Sequence, residues 1–200
     1  VTRNRSAGSE IACVSYLTPD EFGSGGGNIE GQVNGGRGGG VIRLAVGGTL
    51  VIDGIVAADG GQGIVSGGDN YGGGGAGGSI WVAADVLSGS GRVSADGFAG
   101  AVLSQCGGGG GGRVSLHVSR SEFQGPIRAF GGAGLQRGGA GSVHLTVDGA
   151  GSSTTYDNGG IAGASSYLFE DSIFERLLIR GRAVLSHSVG NGNVTVTVSE

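Results

Sequence analysis

Acid–base work on sugars and hard-cation binding both need carboxylates held close together on one face. The chain offers five aspartates in patterned surroundings: Asp53, Asp59, Asp85, Asp96 and Asp148. Asp59 and Asp96 occupy equivalent places, each just before a glycine that ends a short apolar segment, so they are the one pair expected to stack. Phe130 stands at the third such place and breaks the row. An Asp beside Gly is ordinarily a turn residue that bonds nearby backbone. Calcium needs six or more oxygens, and no Gly-Gly-x-Gly-x-Asp nonapeptide recurs. No catalytic, cofactor-binding or metal-binding residue is assigned, and no cofactor is expected.

His117, His144 and His187 fall on the outward side of alternating segments and are expected as surface histidines. Trp81 and the tyrosines are too sparse for an aromatic sugar platform. Thr195-x-Thr197 occurs once, whereas an ice-binding surface repeats that element. Cys13 and Cys106 leave three readings open: a disulfide that closes a long loop (about 4.5 kcal/mol of chain entropy), two buried reduced thiols, or an intermolecular bridge. Asn4-Arg5-Ser6 and Asn193-Val194-Thr195 are glycosylation sequons, and alternation turns Asn193 away from the valines of its strand.

These residues must be carried by a repeat. GGVIRLAVGGTLVIDGIVAADGG (39–61), GGSIWVAADVLSGSGRVSADG (77–97) and GGRVSLHVSRSEFQGPIRAFGG (111–132) share one pattern, and AGSVHLTVDG starts a fourth copy at Ala140. Ile42, Ile80, Val114 and Val143 align, followed at steps of two by Leu44, Val82, Leu116 and Leu145, then Val46, Ala84, Val118 and Val147. Strict alternation predicts half-buried strands. A second strand follows: Val56, Val93 and Ile127 align, 14, 13 and 13 residues after the first aligned position. Ala58, Ala95 and Ala129 come next, small enough for a tight corner.

Fifty glycines make a quarter of the chain, concentrated in runs such as 72–78 and 107–112. Two readings compete for them: flexible surface loops, or extended polyproline-II-like segments packed side by side with bulky side chains excluded. The 38% hydrophobic content, gathered into alternating segments, argues against low-complexity disorder. Net charge is −4, all twelve basic residues are arginine, and nothing forms a basic patch, so nucleic acid is not an expected partner. No apolar run is long enough for a membrane helix, so no membrane insertion is expected. Without Met or a visible signal peptide, the chain reads as a piece of a longer protein.

The first segment predicts a strand through Ile11, Cys13 or Val14, and Tyr16. Near the end, Ser172–Glu175 could open a short helix as a capping box. Gly181 favours strands through Leu177–Ile179 and Ala183–Leu185 instead, and Asn193–Ser199 reads as a strand. The organisation expected is one domain, 1–200: an N-terminal strand and glycine-rich lead-in (1–38), glycine-rich rungs (39–150) and glycine-poorer rungs (151–200).

Constant units with variable glycine runs predict an all-β chain, a right-handed parallel β-helix or solenoid with glycine-rich, polyglycine-II-like insertions between rungs. An antiparallel sandwich is the runner-up. The Pro19–Gly27 segment and the three aligned units resemble glycine-rich β-helix repeats of large secreted and surface proteins of bacteria and protists. The resemblance covers about 16–148. It implies an extracellular structural or adhesive role with no established reaction. The open ends of a solenoid predict end-to-end homo-association into a fibre, filament or cell-surface assembly without catalysis, and the two sequons mark candidate N-glycan sites. The alternative is a carbohydrate-active β-helix enzyme or a glycan-binding adhesin module.

Overall fold

Alternation between apolar and small polar residues gives long first strands in each unit, and the apolar side of every one turns inward. The computed structural model describes residues 16–28, 34–66, 70–102, 105–168, 172–187 and 196–198. The strands are β1 (Val41–Val51), β2 (Ile55–Ala57), β3 (Val65–Ser66), β4 (Asn70–Tyr71), β5 (Ser79–Ser88), β6 (Arg92–Ser94), β7 (Arg113–Ser121) and β8 (Ile127–Arg128). They continue as β9 (Ser142–Val147), β10 (Gly151–Asp157), β11 (Ser165–Leu168), β12 (Ser172–Phe174), β13 (Leu177–Arg180), β14 (Val184–His187) and β15 (Val196–Val198).

A six-stranded sheet runs β1-β5-β7-β9-β10-β13, and a three-stranded sheet runs β2-β6-β8. Ile42, Ile80, Val114 and Val143 are direct partners across parallel strands, as the aligned repeats require. Val56, Val93 and Ile127 form the matching row of the smaller sheet. The inner faces of the two sheets meet in one core in which Ile80, Val82, Leu87, Val93, Val114 and Leu116 are wholly buried. Ala58, Ala95 and Ala129 are buried in the same core at the corner that ends each second strand.

The expected right-handed parallel β-helix or solenoid is not what the chain forms. The large sheet is mixed: β10 lies antiparallel to β9, and β3 and β4 pair antiparallel as well. The cause sits at Asp148–Gly151. Gly149 and Gly151 adopt φ of 71° and 83°, which side-chain-bearing residues rarely do, and Ala150 donates back to the Val147 carbonyl. The chain turns on itself there instead of entering another glycine run. Beyond the turn, β10, β11 and β12 pair in parallel with β13, β14 and β15 respectively. Ser172–Phe174 is therefore strand and not the start of a helix. The predicted first strand falls mostly outside the described residues.

The glycine runs are not loose loops. Runs 72–78 and 107–112 are almost entirely buried, and backbone packs on backbone. Along the first of them the hydrogen bonds repeat every three residues. Gly74 and Gly77 donate to Gly107 and Gly110 of the next run, Gly75 and Gly78 donate to Gly61 and Ala58, and Gly73 and Ala76 donate to Gly27 and Ser24. A segment whose N–H groups point three ways in strict rotation turns once per three residues and bonds only to neighbours. The runs that precede each long strand make one layer. Those that follow each short strand make a second, and the ladder Gly61→Arg37, Gly75→Gly61, Phe98→Gly75, Gly109→Phe98, Gly132→Gly109 and Gly138→Gly132 stitches the two together. The spacing leaves no room for a Cβ: one at Gly75 would overlap the Arg37 carbonyl, and one at Gly109 the Gly75 carbonyl.

Gly75→Ala is expected to destabilise the chain by about 3 kcal/mol, because backbone cannot yield as a side chain does. Gly40→Ala meets nothing within 4 Å and is expected to be neutral or slightly stabilising, by up to about 0.5 kcal/mol. Urea unfolding of the two variants measures the contrast.

Candidate functional site

The stacked aspartates sit where the short strands meet the second glycine layer. Asp59 Oδ1 accepts the backbone N–H of Asp96 at 2.7 Å, and its Oδ2 accepts the Ser94 hydroxyl at 3.1 Å. One unit on, Asp96 Oδ1 accepts the N–H of Phe130 at 2.8 Å and Oδ2 lies 2.7 Å from Arg128 Nε. Further on, Asn158 Oδ1 accepts the N–H of Gly131 at 2.7 Å, and its amide donates to the Gly138 and Ile161 carbonyls. Each side chain thus ties one unit to the backbone of a neighbour, and Asn158 also closes its own turn through Ile161. Burial raises the Asp96 pKa, the Phe130 N–H and Arg128 oppose that, and the charge on Asp59 adds to it. All four carboxylate oxygens of the pair are engaged by protein groups that link neighbouring units.

The histidines depart from expectation. His144 is only 4% exposed. Its Nδ1 lies 2.9 Å from Thr154 Oγ1 and its Nε2 lies 3.0 Å from Thr146 Oγ1, with the His117 ring 5.9 Å away. The cover comes from the other end of the sequence. From Tyr16 the chain crosses the outer face of the large sheet as a strap: Ser115 Oγ donates to the Leu17 carbonyl at 2.7 Å, and Ser79 Oγ to the Glu21 carbonyl at 2.6 Å. His117 Nε2 stands 3.0 Å from the same Leu17 carbonyl. Tyr16 packs edge-on to His144 at 5.4 Å and against Phe174 at 5.3 Å, and Pro19 is fully buried. His187 ends β14.

Alternation was read correctly as pointing His144 outward; what it missed was that the outer face is itself covered. The available signal was the small size of Ser79, Ser115 and Ser142, outward positions in successive units that are all buried. Beneath the strap, desolvation and then the His117 charge lower the His144 pKa to about 4, and desolvation pushes Tyr156 up to about 12. Desolvation also lowers the Arg113 pKa.

Beyond the strap, the outer face stays open. A shallow groove of about 480 Å³ has Ala45 and Ala83 in its floor and His117, Thr146, Asp85 and Asp148 along it. Asp148 Oδ2 accepts the Ser119 hydroxyl at 2.7 Å. Next to it, the Arg43 guanidinium stacks 4.1 Å above the Trp81 ring. Among the described residues, no group of three or more His, Cys, Asp or Glu is placed to hold a metal ion, and no helix is long and apolar enough to cross a membrane. Asn4, Asn193 and Cys13 lie outside the described residues, and Cys106 is buried. The chain matches no family model, no curated protein and no solved structure.

The buried imidazole sets a pH dependence. Because the folded His144 pKa lies near 4, below the ordinary 6.5, the unfolded chain binds the proton more tightly. Stability is therefore lost as pH falls from about 6.5 towards 4, by at most about 3 kcal/mol. Asp96 works in the opposite sense: its raised pKa gives the folded chain the tighter proton, so stability is gained as pH falls through that raised value. The stability difference between wild type and His144→Gln, followed by urea unfolding from pH 7 to pH 4, isolates the histidine contribution. That difference is expected to shrink as the pH drops.

Proposed function

We propose that this chain is an extracellular structural protein, a building block of a fibre, filament or cell-surface assembly, and that it catalyses no reaction. The observation that supports this most is the state of one end of the molecule. β1 ends the order of the large sheet and β2 ends that of the small one, at the same end. There the inward residues Ile42, Leu44, Val46, Leu50 and Val56 are only partly buried, and Val51 and Ile55 are 58% and 66% exposed. One unit inward, Ile80, Val82, Leu87 and Val93 are wholly buried. Among the described residues no strand pairs with the outer edge of β1 or β2, and two such adjacent edges beside a part-covered core are a template for another strand-bearing unit. A second copy of the chain, stacked end to end, is the partner that extends both sheets at once. The engagement of Asp59 and Asp96 by backbone groups supports a non-catalytic role, and the sequons at Asn4 and Asn193 support an extracellular one.

A second reading is favoured by the open groove on the outer face, where Asp85, Asp148 and Thr146 line a small-residue floor. Carboxylates and hydroxyls over a shallow floor suit a glycan, as a binding module without turnover. Calorimetric titration with neutral oligosaccharides tests it, and Asp148→Ala is expected to abolish any heat of binding.

End-on assembly is tested by negative-stain electron microscopy of the wild type beside a Val51→Lys/Ile55→Lys variant. Filaments are expected from the wild type and single particles from the variant, since lysine on an edge strand blocks pairing. Monodisperse wild-type particles, together with polysaccharide cleavage that Asp96→Asn removes, would sink the structural reading.

A further inference from the structure

The large sheet does not carry its core on one face throughout. Over β1, β5, β7 and β9 the row Ile42, Ile80, Val114 and Val143 faces the inner core. The row on the opposite face runs from Ser79 through Arg113 and Ser142 to Tyr156 of β10. Directly paired residues share a face, so Tyr156 stands on the strap side of the sheet. It is buried there in a second apolar core with Leu168 and Phe174, against which Tyr16, Leu177 and Leu185 pack. Strand direction changes at the same place, since β10 is antiparallel to β9 and β13 runs parallel to β10. From β9 to β10 the sheet reverses both its chain direction and the face that bears the core.

Both ends of that sheet are one layer short of full cover. At the β1 end Ile42 is partly buried, where its partner Ile80 is wholly buried. At the β13 end Ile179 pairs with buried Tyr156 yet is 49% exposed, and Val184 of β14 is 45% exposed. Among the described residues no strand pairs with the outer edge of β13 or β14. Two β1 ends meeting about a dyad would form a closed pair that covers one end of each copy and leaves the other as it is. A contact between the β13 end of one copy and the β1 end of the next covers both.

The reversal inside the chain decides how two copies fit. A second copy shifted along the stacking direction without rotation would lay β1 antiparallel to β13, with Ile42 and Ile179 on opposite faces of the joint sheet. A half-turn about the stacking direction inverts chain direction and core face together, as the step from β9 to β10 does. After it, β1 runs parallel to β13, Ile42 and Leu44 fall on the side of Ile179, and β2 comes to the side of β14. We propose that the chain associates head to tail, the β13–β14 end of one copy on the β1–β2 end of the next, with successive copies related by about a half-turn. This rests on the structural reading above and gives that assembly its polarity and rotation. A half-turn combined with a translation never closes, so the contact propagates.

Variants blocked at one end decide the arrangement. Val51→Lys/Ile55→Lys blocks the β1–β2 end, and Ile179→Lys or, separately, Val184→Lys blocks the other. All four side chains are exposed, so circular dichroism and thermal midpoint are expected to match wild type. In sedimentation equilibrium each variant alone is expected to self-associate about tenfold or more weakly than wild type. An equimolar mixture of a variant blocked at β1–β2 with one blocked at β13–β14 is expected to form a heterodimer at wild-type affinity and nothing larger. Helical reconstruction of wild-type filaments is expected to show about a half-turn between copies. Homodimers of both Ile179→Lys and Val184→Lys would assign the head-to-head dyad and overturn the proposal while end-on assembly stands, as would filaments whose copies repeat by translation alone. A wild type that stays monomeric throughout its soluble range overturns both.

Discussion

Everything in this molecule depends on how closely one extended backbone can approach another when neither carries a Cβ. In the two glycine layers that approach places most N–H groups on the carbonyl of an adjacent run and rotates the bonding direction once per three residues. A buried backbone with no sheet or helix to satisfy it would otherwise carry unpaired polar groups, each costing about 1–3 kcal/mol. The layers avoid that loss with few side chains among them, Ala76 and Phe98 being two. They act as a third wall beside the two sheets, and the core closes at Ala58, Ala95 and Ala129, whose carbonyls accept from Gly78, Gly112 and Gly141.

The polar side chains are best understood as servants of that wall. Asp59, Asp96 and Asn158 bind amides in or beside the second layer, where a short strand has ended and the three-residue bonding pattern has begun. The carboxylates neutralise a local excess of donors, and Arg128 and Arg92 balance their charge at the rim. The same accounting explains Phe130, which stands in the aspartate row yet supplies the backbone N–H that Asp96 receives. The strap carries the bonding onward. It seals the outer sheet face over His144 and Arg113, then enters the glycine layer as its outermost member.

Much of this was legible in the chain. The alternation in 42–46, 80–84, 114–118 and 143–147 gave the strands, their facing residues and their register, because a half-buried strand admits one side-chain phase only. The second-strand row and the alanine corner followed from constant spacing. The turn at Asp148–Gly151 was not legible: loss of the repeat pattern marks where a unit ends but not the direction the chain takes next. His144 was misread for a similar reason, since alternation fixes a side chain's face and says nothing of what lies over that face.

The sequence by itself determined the strands, the apolar core rows and the requirement that long segments carry no side chain, since these follow from local stereochemistry and a period of two. Only the tertiary structure decided that the glycine runs pack against each other, that β10 reverses beside β9, and that the strap lies across β5 and β7. The physical reason is common to all three. A backbone amide or carbonyl is the same group at every residue, so its partner is chosen by three-dimensional proximity, with no trace in residue type.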